Sequence, residues 1–154
     1  MKGRGKVCFA ASSGGHLAEL SQLAPIVREG DFVLTEKCGS DQIKWCKKVF
    51  YVAEINRREL LFLPKLLWLF IVSFWLLLRE KPEAVVSTGA LAACPISMLA
   101  KKMGKKVVYI ESFARVKSAS LTGKMLYKKA DLFIVQWEEM LRVYPDAIYV
   151  GGMF

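Results

Sequence analysis

The sequence predicts an α/β protein built on a doubly wound parallel sheet. Two observations carry this. Short β-branched and aromatic runs alternate with helix-like stretches along the whole chain. Several of those runs are apolar almost throughout, as strands are when both faces of a sheet are covered. A length of 154 residues fits one domain with a real core, here taken as residues 1–154.

In chain order, the predicted strands are Lys6–Ala11, Asp31–Thr35, Val49–Val52, Ala84–Ser87, Lys106–Ile110, Leu132–Val135 and Ala147–Val150. The predicted helices are Leu17–Val27, Ser40–Cys46, Arg58–Arg79, Ala92–Met103, Ser120–Lys129 and Glu138–Tyr144. The basic N-terminus carries an apolar run too short for a secretory signal, and it reads as the first strand. No repeat, low-complexity tract or linker interrupts the pattern.

Composition narrows the partners. The chain is 54% hydrophobic with a formal charge of +9, a mean hydropathy of +0.30 and a pI near 9.5. A chain both greasy and basic suits an anionic membrane surface better than free cytosol. Its basic residues are scattered and no nucleic-acid motif is present, so nucleic acid is not expected as a partner. The cysteines Cys8, Cys38, Cys46 and Cys94 form no C-x-x-C pair. Reduced thiols and a cytosolic face follow, with no zinc or redox motif and no metal site.

The stretch LLFLPKLLWLFIVSFWLLLREKPE contains an apolar core, Leu66–Leu78, broken only by Ser73. That core is shorter than the roughly 20 apolar residues a bilayer span needs. Within Leu60–Leu78 the residues expected to meet lipid are Trp68, Phe70, Phe74 and Trp75, with Lys65 and Arg79 as basic neighbours. Three arrangements remain open: a buried crossover helix, a helix dipping into the interface, or a true span. Aromatic content and basic flanks suit the interface. A span would place the two parts of the sheet on opposite sides of the membrane.

In open parallel sheets, ligands bind beyond the carboxyl ends of the strands. Three such ends are unusual: SSGGH after the first strand, STGA after the fourth and ESFAR after the fifth. The first and fourth strands would flank the switch point. SSGGH lacks the G-x-G-x-x-G and G-x-x-x-x-G-K-[ST] spacings, so NAD and ATP are not favoured. Gly14 and Gly15 permit a tight turn, and free N–H groups of the following helix would face a phosphate. His16, the only histidine, is read as a base, a phosphate contact or a helix cap. Ser13, Thr88, Gly89 and Ser112 join the same rim. Glu111 is a candidate catalytic carboxylate, and Arg115 a phosphate clamp or a surface ion pair.

At these residues the chain resembles a known family. SSGGHLAEL, STGALAACPISMLAKKMGKKVVYIESFARVKSASLTGKMLY, ADLFIVQWEEM and YVGGMF closely resemble the acceptor-side, membrane-anchoring subunits of two-part UDP-sugar glycosyltransferases. Eukaryotes use such a pair on the dolichol-linked oligosaccharide; bacteria use similar pairs for capsule and exopolysaccharide, and this chain looks like the bacterial sort. The resemblance implies a Rossmann-like fold, the amino-terminal half of a GT-B glycosyltransferase. It also implies an inverting transfer to a polyprenyl-diphosphate sugar at the cytoplasmic face of the membrane. The chain stops about where a second domain would begin, so the UDP-sugar is expected on a catalytic partner subunit, and the chain is not expected to act alone. No cofactor is expected in this chain, and magnesium would be a family-level requirement only. The related single-chain enzyme that makes lipid II has a richer glycine turn than SSGGH. The rival expectations are a non-catalytic scaffold that recruits the transferase subunit and a free-standing nucleotide- or flavin-binding oxidoreductase.

Overall fold

The computed structural model describes residues 4–37 and 43–153. Seven strands form one sheet: β1 Val7–Ala11, β2 Phe32–Glu36, β3 Val49–Val52, β4 Ala84–Gly89, β5 Lys106–Ile110, β6 Leu132–Val135 and β7 Ile148–Tyr149. Their order is β3-β2-β1-β4-β5-β6-β7, and every pairing is parallel. The order reverses between β1 and β4, so the switch point falls between the strands the sequence indicated.

The helices are α1 Gly15–Ser21, α2 Phe62–Glu80, α3 Cys94–Lys102 and α4 Leu121–Leu126. Strand alternation explains why the first strand is apolar throughout. Cys8 and Ala10 pack with Leu76, Leu77 and Ile96 of α2 and α3 on one face. Val7, Phe9 and Ala11 pack with Leu20 of α1 on the other. A third cluster joins Tyr109, Phe133 and Val135 to Leu126 of α4 and to Met140 and Tyr144.

Three expected helices differ from the sequence reading. Leu17–Val27 splits into α1 and a 3-10 turn at Ala24–Ile26. The cause is Pro25, which has no N–H to donate and whose ring clashes with the carbonyl four residues back, at Ser21. Glu138–Tyr144 is a 3-10 turn, Glu138–Arg142. Of the expected helix Ser40–Cys46, residues 43–46 are irregular and 38–42, with Cys38, lie outside the described residues.

α2 joins β3 to β4. Pro64 stands in its first turn, where helix N–H groups have no intrahelical partner, and is tolerated there. Leu69, Ser73, Leu76 and Leu77 are its buried stripe. Leu63, Leu67, Trp68, Ile71, Phe74, Trp75 and Leu78 are exposed, Leu67 and Trp68 by 63% and 61%. A simple buried crossover helix is therefore excluded. By length and composition α2 suffices to cross a membrane, yet its inner stripe belongs to the sheet's core.

Candidate functional site at the switch point

The loops after β1 and β4 are stitched to each other. Ser12 N–H donates to the Gly89 carbonyl at 2.9 Å, and Ala92 N–H donates to Ser12 Oγ at 3.2 Å. His16 stands in the first turn of α1, and its Nδ1 lies 2.7 Å from the Thr88 carbonyl. A carbonyl only accepts, so Nδ1 is the donor in this contact and Nε2 is the ring nitrogen left for a ligand. Thr88 Oγ1 donates to the His16 carbonyl at 2.7 Å. Thr88 thus bonds His16 twice, once at the ring and once at the backbone.

Two glycines make this approach feasible. Gly14 has φ +77° and Gly89 φ +94°, a region that side chains other than glycine rarely adopt. A Cβ at Gly89 would also come within 3.3 Å of His16 Cε1 and the Tyr109 hydroxyl.

The imidazole lines an open basin of about 300 Å³, together with Arg57, Tyr109, Ser112, Arg115 and Ser120. No carboxylate among the described residues lies within ion-pairing distance of Arg57 or Arg115. Two exposed guanidinium groups beside an imidazole suit a ligand with adjacent phosphates.

Of the residues the sequence singled out, His16, Ser112 and Arg115 line the basin. Thr88 and Gly89 do not line it; Thr88 bonds His16, which does. Ser13 is turned to another partner: its N–H and Oγ bond Glu36 Oε2 at 3.2 and 3.3 Å. Gly14 and Gly15 are exposed at the turn. α1 has only 7 residues, so the helix dipole behind the turn is short.

Glu111 is placed differently from a reacting group. It is 1% exposed and does not line the basin. Its carboxylate accepts five hydrogen bonds, from Tyr109 Oη, Ser112 N–H, Ser120 N–H, Ser120 Oγ and Tyr144 Oη, at 2.8–3.3 Å. Burial, with Glu111 beside them, pushes the Tyr109 and Tyr144 phenols well above their usual range. Both therefore stay protonated and donate. Glu111 is the knot that folds the 111–120 loop over the basin.

A second buried carboxylate went unremarked in the sequence. Glu19 accepts from Ser112 Oγ at 2.8 Å, Phe113 N–H at 3.1 Å and Gln136 Nε2 at 3.2 Å. It ties α1 to the ends of β5 and β6. Arg57, Tyr109 and Ser120 were also missed as basin residues. Arg57 stands next to Arg58 just before the apolar segment, and nothing local marks it as a basin residue. Among the described residues, no group of three or more His, Cys, Asp or Glu is placed to hold a metal ion.

Phe70 also departs from expectation. It is half-buried and lines an apolar groove between α2 and α3–α4 rather than the outer face. Lys65 donates to the Glu54 carbonyl at 3.3 Å and pairs with Glu59. Arg79 stacks over Trp75 with its guanidinium carbon 4.7 Å from the ring centroid.

The sheet order and the switch-point basin define a Rossmann-like fold of the kind found in each half of GT-B type proteins. Solved structures agree on the fold. MurG of Acinetobacter baumannii superposes with TM-score 0.71 at 17% identity, covering 96% of this chain and 45% of that one. UDP-N-acetylglucosamine 2-epimerase of Rickettsia bellii gives 0.69 at 16%, covering 98% and 46%. The chain thus spans less than half of either protein, matching the N-terminal half of MurG.

The chain belongs to the Alg14 family: the model described as "Oligosaccharide biosynthesis protein Alg14 like" matches residues 35–153. Relatives include the UDP-N-acetylglucosamine transferase subunit ALG14 of Mus musculus, 32% identical over 181 residues, 95% of this chain and 82% of that protein. The Schizosaccharomyces pombe subunit of the same name is 44% identical over 75 residues, 46% of this chain and 36% of that protein.

Proposed function

We propose that this chain is the acceptor-side, membrane-seated subunit of a two-part UDP-sugar transferase that builds a lipid-linked oligosaccharide. The curated relatives are named as subunits of a UDP-N-acetylglucosamine transferase, which supports a catalytic partner that holds the UDP-sugar. The observation that carries the acceptor role is the basin itself. It brings together the His16 imidazole and the Arg57 and Arg115 guanidinium groups, which have no carboxylate partner among the described residues, next to a helix with an exposed apolar face.

In this reading α2 seats the chain on the cytoplasmic leaflet. Arg115 and its neighbours hold the diphosphate of a polyprenyl-diphosphate sugar. His16 Nε2 takes the proton of the attacking acceptor hydroxyl, or contacts the diphosphate. The hydroxyl oxygen bonds to the anomeric carbon of the donor sugar, UDP leaves from the opposite face, and the anomeric configuration inverts. Resemblance to bacterial pairs extends the proposal to capsule or exopolysaccharide synthesis. Burial of Glu111 behind the residues that line the basin favours a second reading, in which the chain only recruits and activates its partner.

The test is co-expression with candidate partner subunits and transfer from labelled UDP-N-acetylglucosamine to a short polyprenyl-diphosphate sugar. His16→Ala should lower kcat by about 100-fold while the pair still co-purifies. Unchanged kcat and KM would leave His16 structural and favour the scaffold. Brisk transfer by this chain without a partner would overturn both.

A further inference from the structure

Arg57 belongs to two cavities at once. Together with Leu121 and Thr122 it lines both the polar basin and an apolar groove of about 270 Å³. The groove runs between Phe62, Leu66 and Phe70 of α2 and Met98 and Met125 of α3 and α4. The α2 residues recur at a spacing of four, so they form one stripe of the helix. That stripe adjoins the exposed one that carries Leu63, Leu67 and Ile71. One helix therefore presents apolar side chains both to the outside and to a groove that ends at an unpaired guanidinium.

Polar and apolar parts joined at a cation fit an amphiphile with an anionic head. A free sugar nucleotide would leave the groove empty, and a simple fatty chain would leave Arg57 and Arg115 without a counter-charge. We propose that the groove seats the first isoprene units of an isoprenoid diphosphate, with its diphosphate held at Arg57 where groove and basin meet. The proposal rests on the acceptor reading above and sharpens it: the lipid leaves the bilayer along α2 and turns at Arg57. Arg57 then sets the depth at which the head group stands before His16. Flexible methionine side chains across the groove suit a methyl-branched chain.

The test uses the chain reconstituted in phosphatidylcholine nanodiscs and a farnesyl diphosphate carrying a benzophenone on its tail. Irradiation should label peptides containing Met98 and Met125. Unlabelled farnesyl diphosphate should displace the probe far better than farnesol or inorganic pyrophosphate. Arg57→Gln should cut labelling about tenfold, the loss of one charge-assisted contact, and Arg57→Lys should restore part of it. Met125→Trp, a change at a partly exposed position, should fill the groove and lower labelling with little change in the thermal midpoint.

Labelling confined to Leu63, Leu67 and Ile71, displacement by farnesol as good as by farnesyl diphosphate, or an Arg57→Gln variant labelled like the parent would overturn the proposal. The two readings fail separately. Groove labelling without sugar transfer by any partner pair keeps the lipid site and sinks the transferase. Transfer that is indifferent to both variants does the reverse.

Discussion

Gly123 shows how closely the loop over the basin is fitted. A Cβ there would overlap the Glu111 carboxylate and the Tyr144 hydroxyl, and would stand 2.9 Å from Ser120 Oγ. None of these is a free side-chain end, because the five hydrogen bonds on Glu111 hold them together. Gly123 N–H also caps α4 by donating to Ser120 Oγ at 2.8 Å. Gly123→Ala should therefore destabilise the chain by about 1–3 kcal/mol, the usual cost of overpacking. Denaturant unfolding followed by circular dichroism reads this directly, and an unmoved midpoint would mean that the carboxylate gives way freely. In the sequence Glu111 stood out as a carboxylate at the end of an apolar strand. Its partners come from positions 109, 112, 120 and 144, and only the fold brings them together. Its position was legible, whereas its saturation by donors was not. His16 was legible because a lone imidazole beside two glycines is a local feature, while Arg57 depended on the approach of two distant elements.

At the scale of the element, α2 is pinned at its carboxyl end by Glu80. The Glu80 side chain is 3% exposed, 2.7 Å from Lys48 Nζ and 3.5 Å from Lys6 Nζ. The hydrogen bond from Lys48 is the main cause that holds its carboxyl below the usual range, against the cost of burial. A carboxyl lowered in the folded state contributes stability above its ordinary titration range, and loses it as pH falls through the lowered value. Glu80→Gln should thus cost about 1 kcal/mol near neutral pH, since both lysines remain partly solvated. The difference from the parent should shrink toward zero in acid. Urea titrations at neutral pH and near pH 2 check the sign, and a gap that widens on acidification would contradict it. α2 was also the element whose setting the sequence left open among three arrangements. Its apolar residues run all round the helix, so hydropathy marks no inward face. The stripe Leu69, Ser73, Leu76 and Leu77 is inward only because β1, β2 and β4 lie beneath it.

For the whole molecule, strand and helix order followed from the alternation of patterns, and all seven strands stand within two residues of their expected bounds. That held because both faces are covered over the central strands, which makes those strands largely apolar. The same order constrains how the chain meets lipid. The 19 residues of α2 extend about 28 Å, close to a hydrocarbon core, but β3 and β4 at its two ends lie in one sheet. Crossing a bilayer would pull its inner stripe out of the core. The geometry instead favours a helix lying along the surface, with Leu67, Trp68, Ile71 and Trp75 entering the leaflet. Two forces would then hold it: the charge of +9, about 1 kcal/mol for each basic residue near an anionic surface, and burial of the apolar face at about 25 cal/mol per Å². Salt screens the first and leaves the second. Sedimentation with phosphatidylglycerol-containing vesicles should fall in 1 M salt, where the screening length is about 3 Å, without reaching zero. Leu67→Asp combined with Trp75→Asp should abolish the salt-resistant part and spare the fold, since both side chains are already exposed. Complete release of the parent chain by salt, or undiminished binding by the double variant, would place lipid contact somewhere other than α2.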